Sequence, residues 1–316
     1  MALIMHLKVP KYEGEKAILT LKRQGMIDHD YSISSDEKFL YIPLSGIPEG
    51  GEIVEIEKEQ RGTRVIATGH AGGFDLIGEI AVIHERSGGR VQSIRDFILK
   101  VKPNIRTIYV DMGISGEMRL RNLEVLYGED NPLTSYRENG LTMKVDVRRT
   151  YFSPRLSTER YIVAKDVRDG ERVYDMFSGI GPFSLNIARL ANCAIVACDM
   201  NPVAHDLFNQ NISMNRLRGT ISANLMDSYT LLNEAGTFDR IIMNNPVSKY
   251  RDFDQIVDHI REGGKLNIYF VETVEGIERQ MELLSRLHLT LRSKRIVHGY
   301  SRNKFMFSLD YVKVIP

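Results

Sequence analysis

The carboxy-terminal half of the chain alternates between apolar runs typical of strands and amphipathic stretches typical of helices. Strands are predicted at 172–177, 194–199, 221–226, 238–243 and 265–271, and helices at 182–190, 202–214, 252–261 and 274–287. This alternation predicts a doubly wound parallel sheet, which would bind ligands at the carboxyl ends of its strands. Two further apolar runs, 291–297 and 304–314, predict an antiparallel hairpin at the edge of that sheet.

The first 150 residues show no such alternation. A helix is predicted at 14–25 and a strand at 39–44. Residues 48–62 combine turn formers with acidic and polar residues and are predicted to be a linker, which places a domain boundary near residue 60. After it, strands are predicted at 65–68, 76–83, 107–111 and 141–147, with one amphipathic helix at 91–101.

We therefore predict three domains. Residues 1–60 form a small α+β amino-terminal module, residues 61–150 a mixed α+β middle domain, and residues 151–316 a Rossmann-like α/β domain. The length of 316 residues allows a sizeable core in more than one domain.

Composition narrows the class of protein. Hydrophobic residues make up 43% and charged residues 26%, which excludes disordered and low-complexity chains. The only cysteines, Cys193 and Cys198, are too few for a disulfide framework or a four-ligand zinc site, and no metal site is expected. The amino terminus is too short and polar for a signal peptide, and no apolar run approaches the ~20 residues of a membrane span. We expect a cytoplasmic protein.

The net charge of +1 hides an uneven distribution. Residues 1–60 carry 7 basic against 11 acidic residues, residues 61–150 carry 14 against 11, and residues 151–316 carry 21 against 19. Residues 283–309 contain no acid but six cations: Arg286, Arg292, Lys294, Arg295, Arg302 and Lys304. This run is consistent either with a phosphate-facing edge or with a solvated pair of strands.

A glycine-containing turn follows the first strand of the predicted sheet. Asp175 and Phe177 precede Gly179 and Gly181, and a helix opens at Pro182. Glycines at such a turn let a ligand approach the backbone closely. By itself, a glycine pair does not distinguish a cofactor loop from an ordinary strand–helix turn.

Acidic or amide side chains follow each of the next three strands. Asp199 and Met200 end the second strand, Met226 and Asp227 the third, and Asn244 the fourth. A carboxylate at the second position can accept both ribose hydroxyls of an adenosine group. The alternative is that the two aspartates only cap the helices that follow.

With the glycine turn, this arrangement is that of class I S-adenosylmethionine-dependent methyltransferases. A dinucleotide-binding enzyme is less favoured, because Ser184 occupies the position of the third glycine of that fingerprint. An ATPase is still less favoured, because no Gly-Lys-Ser/Thr follows the loop.

Longer motifs carry a resemblance to a known family. The motifs are LKVPKYEGEKAILTLKRQGMIDHDY near the start, GEMRLRNLEVLYGE at 116–129, YFSPRLSTER at 151–160 and SKRIVHGYSRNKFMFSLDY at 293–311. They resemble the archaeal and eukaryotic type of tRNA (guanine-N1)-methyltransferase, which acts on guanosine 37 of tRNA, over nearly the whole chain.

The resemblance implies roles for individual residues. Glu159 matches the general base that removes the N1 proton, and Arg119 the arginine that donates to O6. Asn244 matches the asparagine at the guanine edge, and Tyr151 a tyrosine beside the methyl donor. Each has an alternative from the residues alone. Glu159 can be a capping-box acid, Arg119 part of a surface salt bridge, and Tyr151 a buried strand-end residue.

The resemblance also implies how the substrate is bound. Arg155, Arg160, Pro246 and Arg302 are candidate substrate contacts. The expected partner is tRNA, bound at its anticodon stem-loop and outer corner, by a monomeric enzyme. The family's Asn-Leu-Pro turn reads Asn-Asn-Pro at 244–246, which weakens the assignment of the acceptor atom.

Other functions remain open at this point. A sibling enzyme of the wyosine pathway could transfer an aminocarboxypropyl group, or methylate a tricyclic base as well as guanosine. A non-catalytic RNA-binding module and a small-molecule or protein methyltransferase are further alternatives. The residues ahead of the sheet domain favour a large substrate.

Overall fold

The computed structural model describes residues 2–24, 26–28, 33–44, 48, 50–58, 73–84, 90–115, 120–246, 250–301 and 303–314. The chain divides into two compact units, Met1–Ala71 and Gly72–Pro316. The division into three domains stays a prediction. The strand predicted at 65–68 lies outside the described residues.

In its described residues, the first unit contains a four-stranded sheet and one α-helix. Its elements are β1 (Ala2–Pro10), α1 (Gly14–Gln24), β2 (Ser34–Ser35), β3 (Phe39–Pro43) and β4 (Glu52–Lys58), with strand order β2-β3-β1-β4. Leu21 of α1 is buried with Leu7 of β1 and Ile42 of β3. The predicted helix at 14–25 and strand at 39–44 are confirmed.

The predicted linker at 48–62 is wrong over much of its length. Its central part forms the strand β4, which pairs antiparallel with β1. The strand β1 was not predicted from the sequence either. Lys8 of β1 donates to Glu52 of β4 at 2.8 Å. The acidic residues of β4 suggested a linker, although charged side chains are common on the edge strands of sheets.

The second unit begins with another four-stranded sheet. Its elements are β5 (Phe74–Ile77), β6 (Ile80–His84), α2 (Val91–Val101), β7 (Thr107–Ser115) and β8 (Leu120–Gly128), with strand order β5-β6-β7-β8. The single strand predicted at 76–83 is wrong, because the chain turns at Gly78, whose φ is +59°. A hairpin of β9 (Leu133–Glu138) and β10 (Leu141–Asp146) follows.

The largest sheet has seven strands in the order β13-β12-β11-β14-β15-β17-β16. Its strands are β11 (Arg172–Asp175), β12 (Ala194–Asp199), β13 (Thr220–Leu225), β14 (Phe238–Met243), β15 (Ile260–Glu272), β16 (Leu289–Gly299) and β17 (Phe305–Lys313). The helices that precede or connect these strands are α3 (Ser157–Asp166), α4 (Pro182–Leu190), α5 (Pro202–Met214), α6 (Ser228–Ala235), α7 (Phe253–Asp258) and α8 (Val274–Ser285). Strands β11 to β15 are parallel, so the predicted Rossmann-like α/β sheet is confirmed.

The carboxy-terminal hairpin is also confirmed. β17 pairs antiparallel with β15, and β16 pairs antiparallel with β17 at the sheet edge. The helix predicted at 252–261 is shorter than expected, since α7 ends at Asp258 and β15 begins at Ile260. Among the described residues, no helix is long and apolar enough to cross a membrane.

Candidate active site

A cavity lies at the carboxyl ends of the central strands. β11 lies between β12 and β14, so strand order reverses here, and open α/β sheets bind ligands at such a point. The wall includes ten residues predicted from the sequence: Tyr151, Arg160, Phe177, Gly179, Asp199, Met200, Met226, Asp227, Asn244 and Pro246. Four other predicted residues lie outside this wall: Arg155, Glu159, Asp175 and Gly181. Arg119 and Arg302 lie outside the described residues.

The two glycines of the loop have different surroundings. Gly179 has φ +53°, and a Cβ built on it would meet only the Tyr151 carbonyl oxygen, at 3.6 Å. A Cβ on Gly181, where φ is +85°, would lie 1.8 Å from Phe208 of α5. Gly179 thus leaves room at the cavity, whereas Gly181 lets the loop pack against α5.

Asp199 ties the glycine loop to the end of β12. Its Oδ2 accepts from Gly179 N at 2.8 Å, and its Oδ1 accepts from Asn201 N at 2.9 Å. Burial raises the pKa of Asp199, while the backbone donors lower it by less. Asn201, not Asp199, caps α5 by accepting from Val203 N and Ala204 N. The capping alternative is therefore wrong for Asp199.

Asp227 has a clear structural role. Its Oδ1 accepts from Tyr229 N at 3.1 Å and Thr230 N at 3.0 Å, which caps α6. Because Asp227 also lies in the cavity wall, its cap places a carboxylate at the end of β13. The capping alternative is correct here and leaves the cofactor role open.

Two buried oxygens near the cavity have no hydrogen-bond partner among the described residues: Asp175 Oδ1 and Asn244 Oδ1. The other Asp175 oxygen accepts from Ser184 Oγ at 2.7 Å. Burial raises the pKa of Asp175 to about 6. Unsatisfied buried acceptors are costly in a native protein, so these two atoms fit a ligand that brings donors.

Tyr250 holds the turn that carries Asn244, and sequence reasoning did not identify it. Its hydroxyl accepts from Asn245 N at 2.9 Å and lies 2.8 Å from the carbonyl oxygens of Met243 and Tyr269. The residue lies between regular elements, and no periodic pattern indicated it.

Glu159 is buried in α3 and faces the carboxy-terminal strands. Its Oε1 accepts from Arg295 Nη2 at 2.7 Å, Ser308 Oγ at 2.8 Å and the Tyr269 hydroxyl at 3.0 Å. The side chain is 4% exposed. A capping-box acid would instead point back to the start of its own helix, so these partners favour a different role.

The two arginines near Glu159 are held by acids. Arg160 is buried, donates to both carboxylate oxygens of Glu138 and donates to the Ser153 carbonyl oxygen at 3.1 Å. Arg155 Nε donates to Asp75 Oδ1 at 2.7 Å. Both are predicted substrate contacts, and both have strong partners within the protein.

The basic run at 283–309 is partly neutralised in three dimensions. Arg286 pairs with Glu282, and Lys294 pairs with Glu278. Arg295 pairs with Glu159 and Asp310. Because these three cations already have carboxylate partners, they favour the alternative to a phosphate-facing edge, an ordinary pair of strands at 283–309. A phosphate-facing edge stays a prediction.

Three family models match successive parts of the chain. Residues 134–298 match the TRM5/TYW2 methyltransferase domain. Residues 7–52 match the tRNA methyltransferase 5 N-terminal domain, and residues 69–131 match the TYW2 N-terminal domain.

Two curated relatives are informative. The tRNA (guanine(37)-N(1))-methyltransferase Trm5b of Pyrococcus abyssi is 34% identical, over 96% of this chain and 97% of the relative. The tRNA (guanine(37)-N(1))/4-demethylwyosine(37)-methyltransferase Taw22 of Nanoarchaeum equitans is 29% identical, over 69% of this chain and 75% of the relative.

Solved structures agree in fold over nearly the full length. The tRNA m1G37 methyltransferase of Methanocaldococcus jannaschii superposes with a TM-score of 0.72 at 28% identity, covering 99% of this chain and 100% of that one. A structure of Methanocaldococcus jannaschii Trm5 with adenosine gives 0.69 at 27% identity, with the same coverage. A complex of aTrm5 with tRNALeu gives 0.65 at 26% identity, covering 98% and 99%. The resemblance inferred from the motifs is confirmed, and the chain belongs to the TRM5/TYW2 methyltransferase family.

Proposed function

We propose that this protein transfers a methyl group from S-adenosylmethionine to N1 of guanosine 37 in tRNA. The observation that carries the proposal is the cavity at the strand-order reversal, whose polar groups come from the ends of four successive strands. Relatives that match almost all of the chain are named for this reaction.

The residues of the cavity fit an adenosyl cofactor. Asp199 offers acceptors to the ribose hydroxyls, since a carboxylate has about four lone-pair sites and backbone N–H groups do not occupy all of them. Met226 and Asp227 would flank the adenine, and Met200 would lie beside the nucleoside. Asp175 Oδ1 and Asn244 Oδ1 are buried acceptors that suit an amino group or a base amine. The bound cofactor supplies an electrophilic methyl carbon.

The substrate requires proton removal from its acceptor nitrogen. N1 of neutral guanine carries a proton, so its lone pair becomes available for methyl transfer only when a base takes that proton. Glu159 is the proposed base. On α3, Glu159 directly precedes Arg160, and it lies three residues after Leu156, which caps the helix; Arg160 and Leu156 both lie in the cavity wall.

Charge that moves onto O6 during proton removal needs a donor. The resemblance assigns this role to Arg119, whose fixed charge suits a developing oxyanion. Asn244 would hold the guanine edge, and Tyr151 would pack against the base or the cofactor. To reach these groups, the target base must leave its stack.

Proposed tRNA contacts are Arg302, Pro246 and the two arginines near Glu159. Arg155 and Arg160 already have carboxylate partners, which supports a role in shaping the wall that the base enters. A relative solved with tRNALeu matches this chain over almost its full length, which supports tRNA as the partner.

One family match and one relative favour a second activity. Residues 69–131 match the TYW2 N-terminal domain, and Taw22 is named for both guanosine 37 and 4-demethylwyosine 37. The second candidate is therefore a bifunctional enzyme that also methylates the tricyclic base.

The test is methylation of unmodified tRNA transcripts with labelled S-adenosylmethionine, followed by mass spectrometry of the nucleosides. We expect 1-methylguanosine with G at position 37 and no product with A there. Product at another position or atom would overturn the proposal. A parallel reaction with tRNA carrying 4-demethylwyosine decides the second candidate.

A further inference from the structure

We propose that Arg295 is a positioning residue for Glu159, which holds that carboxylate by an ion pair and leaves its Oε2 as the proton acceptor. The inference rests on the proposed function, because it concerns the base of that reaction.

The hydrogen bonds to Glu159 are distributed unequally between its two carboxylate oxygens. Oε1 accepts from Arg295 Nη2, Ser308 Oγ and the Tyr269 hydroxyl, all at 3.0 Å or less. Among the described residues, Oε2 has only a long contact of 3.4 Å with Arg295 Nε. An oxygen with three donors has little capacity for a further proton, so Oε2 is the atom that can receive one.

The partners of Glu159 belong to a polar grid on one face of the sheet. Three adjacent strands each contribute two polar residues at alternate positions: Asn267 and Tyr269 on β15, Ser308 and Asp310 on β17, and Ser293 and Arg295 on β16. Tyr269 pairs with Ser308, and Ser308 pairs with Arg295. Alternate residues of a strand share a face, so the grid forms a continuous surface beneath Glu159.

The hydrogen bonds of Arg295 fix its geometry. Its Nη1 donates to Asp310 Oδ2 and Ser293 Oγ, each at 2.6 Å, while Nη2 also donates to Ser308 Oγ at 3.0 Å. Asp310 is held in turn by Asn267 Nδ2 at 2.6 Å. The guanidinium therefore has little freedom to leave Glu159.

Burial makes this contact important for the charge on Glu159. A cation beside a buried carboxylate compensates the free-energy cost of burying that charge. Hydrogen bonds to Glu159 and Asp310 outweigh the effect of burial and raise the pKa of Arg295, so the cation persists. Burial also raises the pKa of Tyr269 well above its ordinary value, so its hydroxyl stays a donor.

Substitution of Asp310 provides a second test, because it should shift the pH–rate profile in the opposite direction to substitution of Arg295. Arg295 is shared between two carboxylates, Glu159 and Asp310. Removing the charge of Arg295 should destabilise ionised Glu159, whereas removing the charge of Asp310 should leave the cation wholly to Glu159.

The experiment measures single-turnover methylation of a G37 transcript across pH with the full-length protein. We expect Arg295→Gln to move the acid limb of the pH–rate profile to higher pH by about one unit, which is about a tenfold loss of rate on that limb. Much of the rate should return at high pH. Asp310→Asn should move the limb to lower pH. Arg261→Gln, which breaks an exposed pair with Asp239, serves as the matched control and should not shift the profile.

The outcomes separate the possible failures. An equal loss of rate at every pH in Arg295→Gln would mean a merely structural role and overturn the inference. If Arg295→Gln does not fold, Asp310→Asn decides, and an unshifted or upward-shifted limb overturns the inference. If the wild-type protein makes no 1-methylguanosine, the proposed function itself fails.

Discussion

Arg155 Nε lies 2.7 Å from Asp75 Oδ1, so the segment that leads into α3 is ion-paired to β5. Asp75 is buried, and its other oxygen faces Arg121 at 3.6 Å and His84 at 3.4 Å. One buried carboxylate thus joins three basic side chains from β6, β8 and the segment before Glu159. Residues 151–153 and Leu156, which flank Arg155 in the chain, line the cavity.

We expect Asp75→Asn to destabilise the protein by about 1–3 kcal/mol, because it removes the charged partner of half-buried Arg155 and one of the two carboxylates that face Arg121. Chemical denaturation measures the change. Asp96→Asn removes an exposed partner of Arg95 and should change the free energy of unfolding by less than about 0.5 kcal/mol. Equal effects of the two substitutions would contradict a structural role for the Asp75 cluster.

Asp75 should also contribute to acid sensitivity. Burial raises its pKa, but the contact with His84 and the charges of Arg155 and Arg121 lower it by more, so the folded-state pKa lies well below its ordinary value. A lowered folded-state pKa gives stability that is present above about pH 4 and lost as pH falls further. The difference in unfolding free energy between wild type and Asp75→Asn should therefore shrink below about pH 4. A constant difference down to about pH 2 would count against this explanation.

Gly181→Ala should destabilise the second unit, Gly72–Pro316, by about 2–5 kcal/mol. The added Cβ would combine a left-handed backbone with a clash against Phe208. Gly170→Ala is a matched control. Its φ of +88° is nearly the same, but nothing lies within 4 Å of the added Cβ. Its cost should be only about 1–2 kcal/mol. Thermal unfolding of both variants separates backbone strain from the clash, and similar costs would argue against the clash.

Asp199→Asn should weaken S-adenosylmethionine binding by about 10- to 100-fold, since hydrogen bonds to a charged acceptor are stronger than those to a neutral one. Isothermal titration calorimetry gives the affinity. Asp206→Asn changes an exposed acid on neighbouring α5 and should leave the affinity unchanged. Unaltered binding by Asp199→Asn would remove this residue from the cofactor site.

Glu159→Gln should lower the single-turnover rate by about 10²- to 10⁴-fold while cofactor affinity is retained, because the amide cannot accept the N1 proton. Arg119→Ala should likewise lose turnover and keep cofactor affinity. Glu282→Gln, at an exposed pair with Arg286, controls for the loss of an acid. Unimpaired methylation by both Glu159→Gln and Arg119→Ala would refute their assignment.

Much of the α/β architecture was predictable because parallel strands are buried on both faces and therefore appear as short apolar runs. The cavity residues were predictable for a related reason: Gly179, Asp199, Asp227 and Asn244 each follow such a strand, and parallel strands end at one edge. Because of this rule, the positions of these four residues in the sequence were enough to predict that they lie close together, without knowledge of side-chain packing.

Contacts between distant segments were not predictable in the same way. Glu159 and Ser308 are 149 positions apart, and polar residues at alternate positions of β16 and β17 resemble an ordinary solvated hairpin. Asp75 and Arg155 are separated by 80 positions. In β4, the acidic side chains concealed a strand whose partner, β1, comes more than 40 positions earlier.

The polar grid beneath Glu159 also sets an order in which the site is completed during synthesis. The described wall of the cavity ends at Pro246, whereas Arg295 and Ser308 are translated about 50 and about 60 residues later. The ribosome adds roughly 5–20 residues per second, so the described lining of the cavity is synthesised several seconds before these partners of Glu159. The residues that line the cavity are therefore synthesised before the residues that hold the proposed base, Glu159.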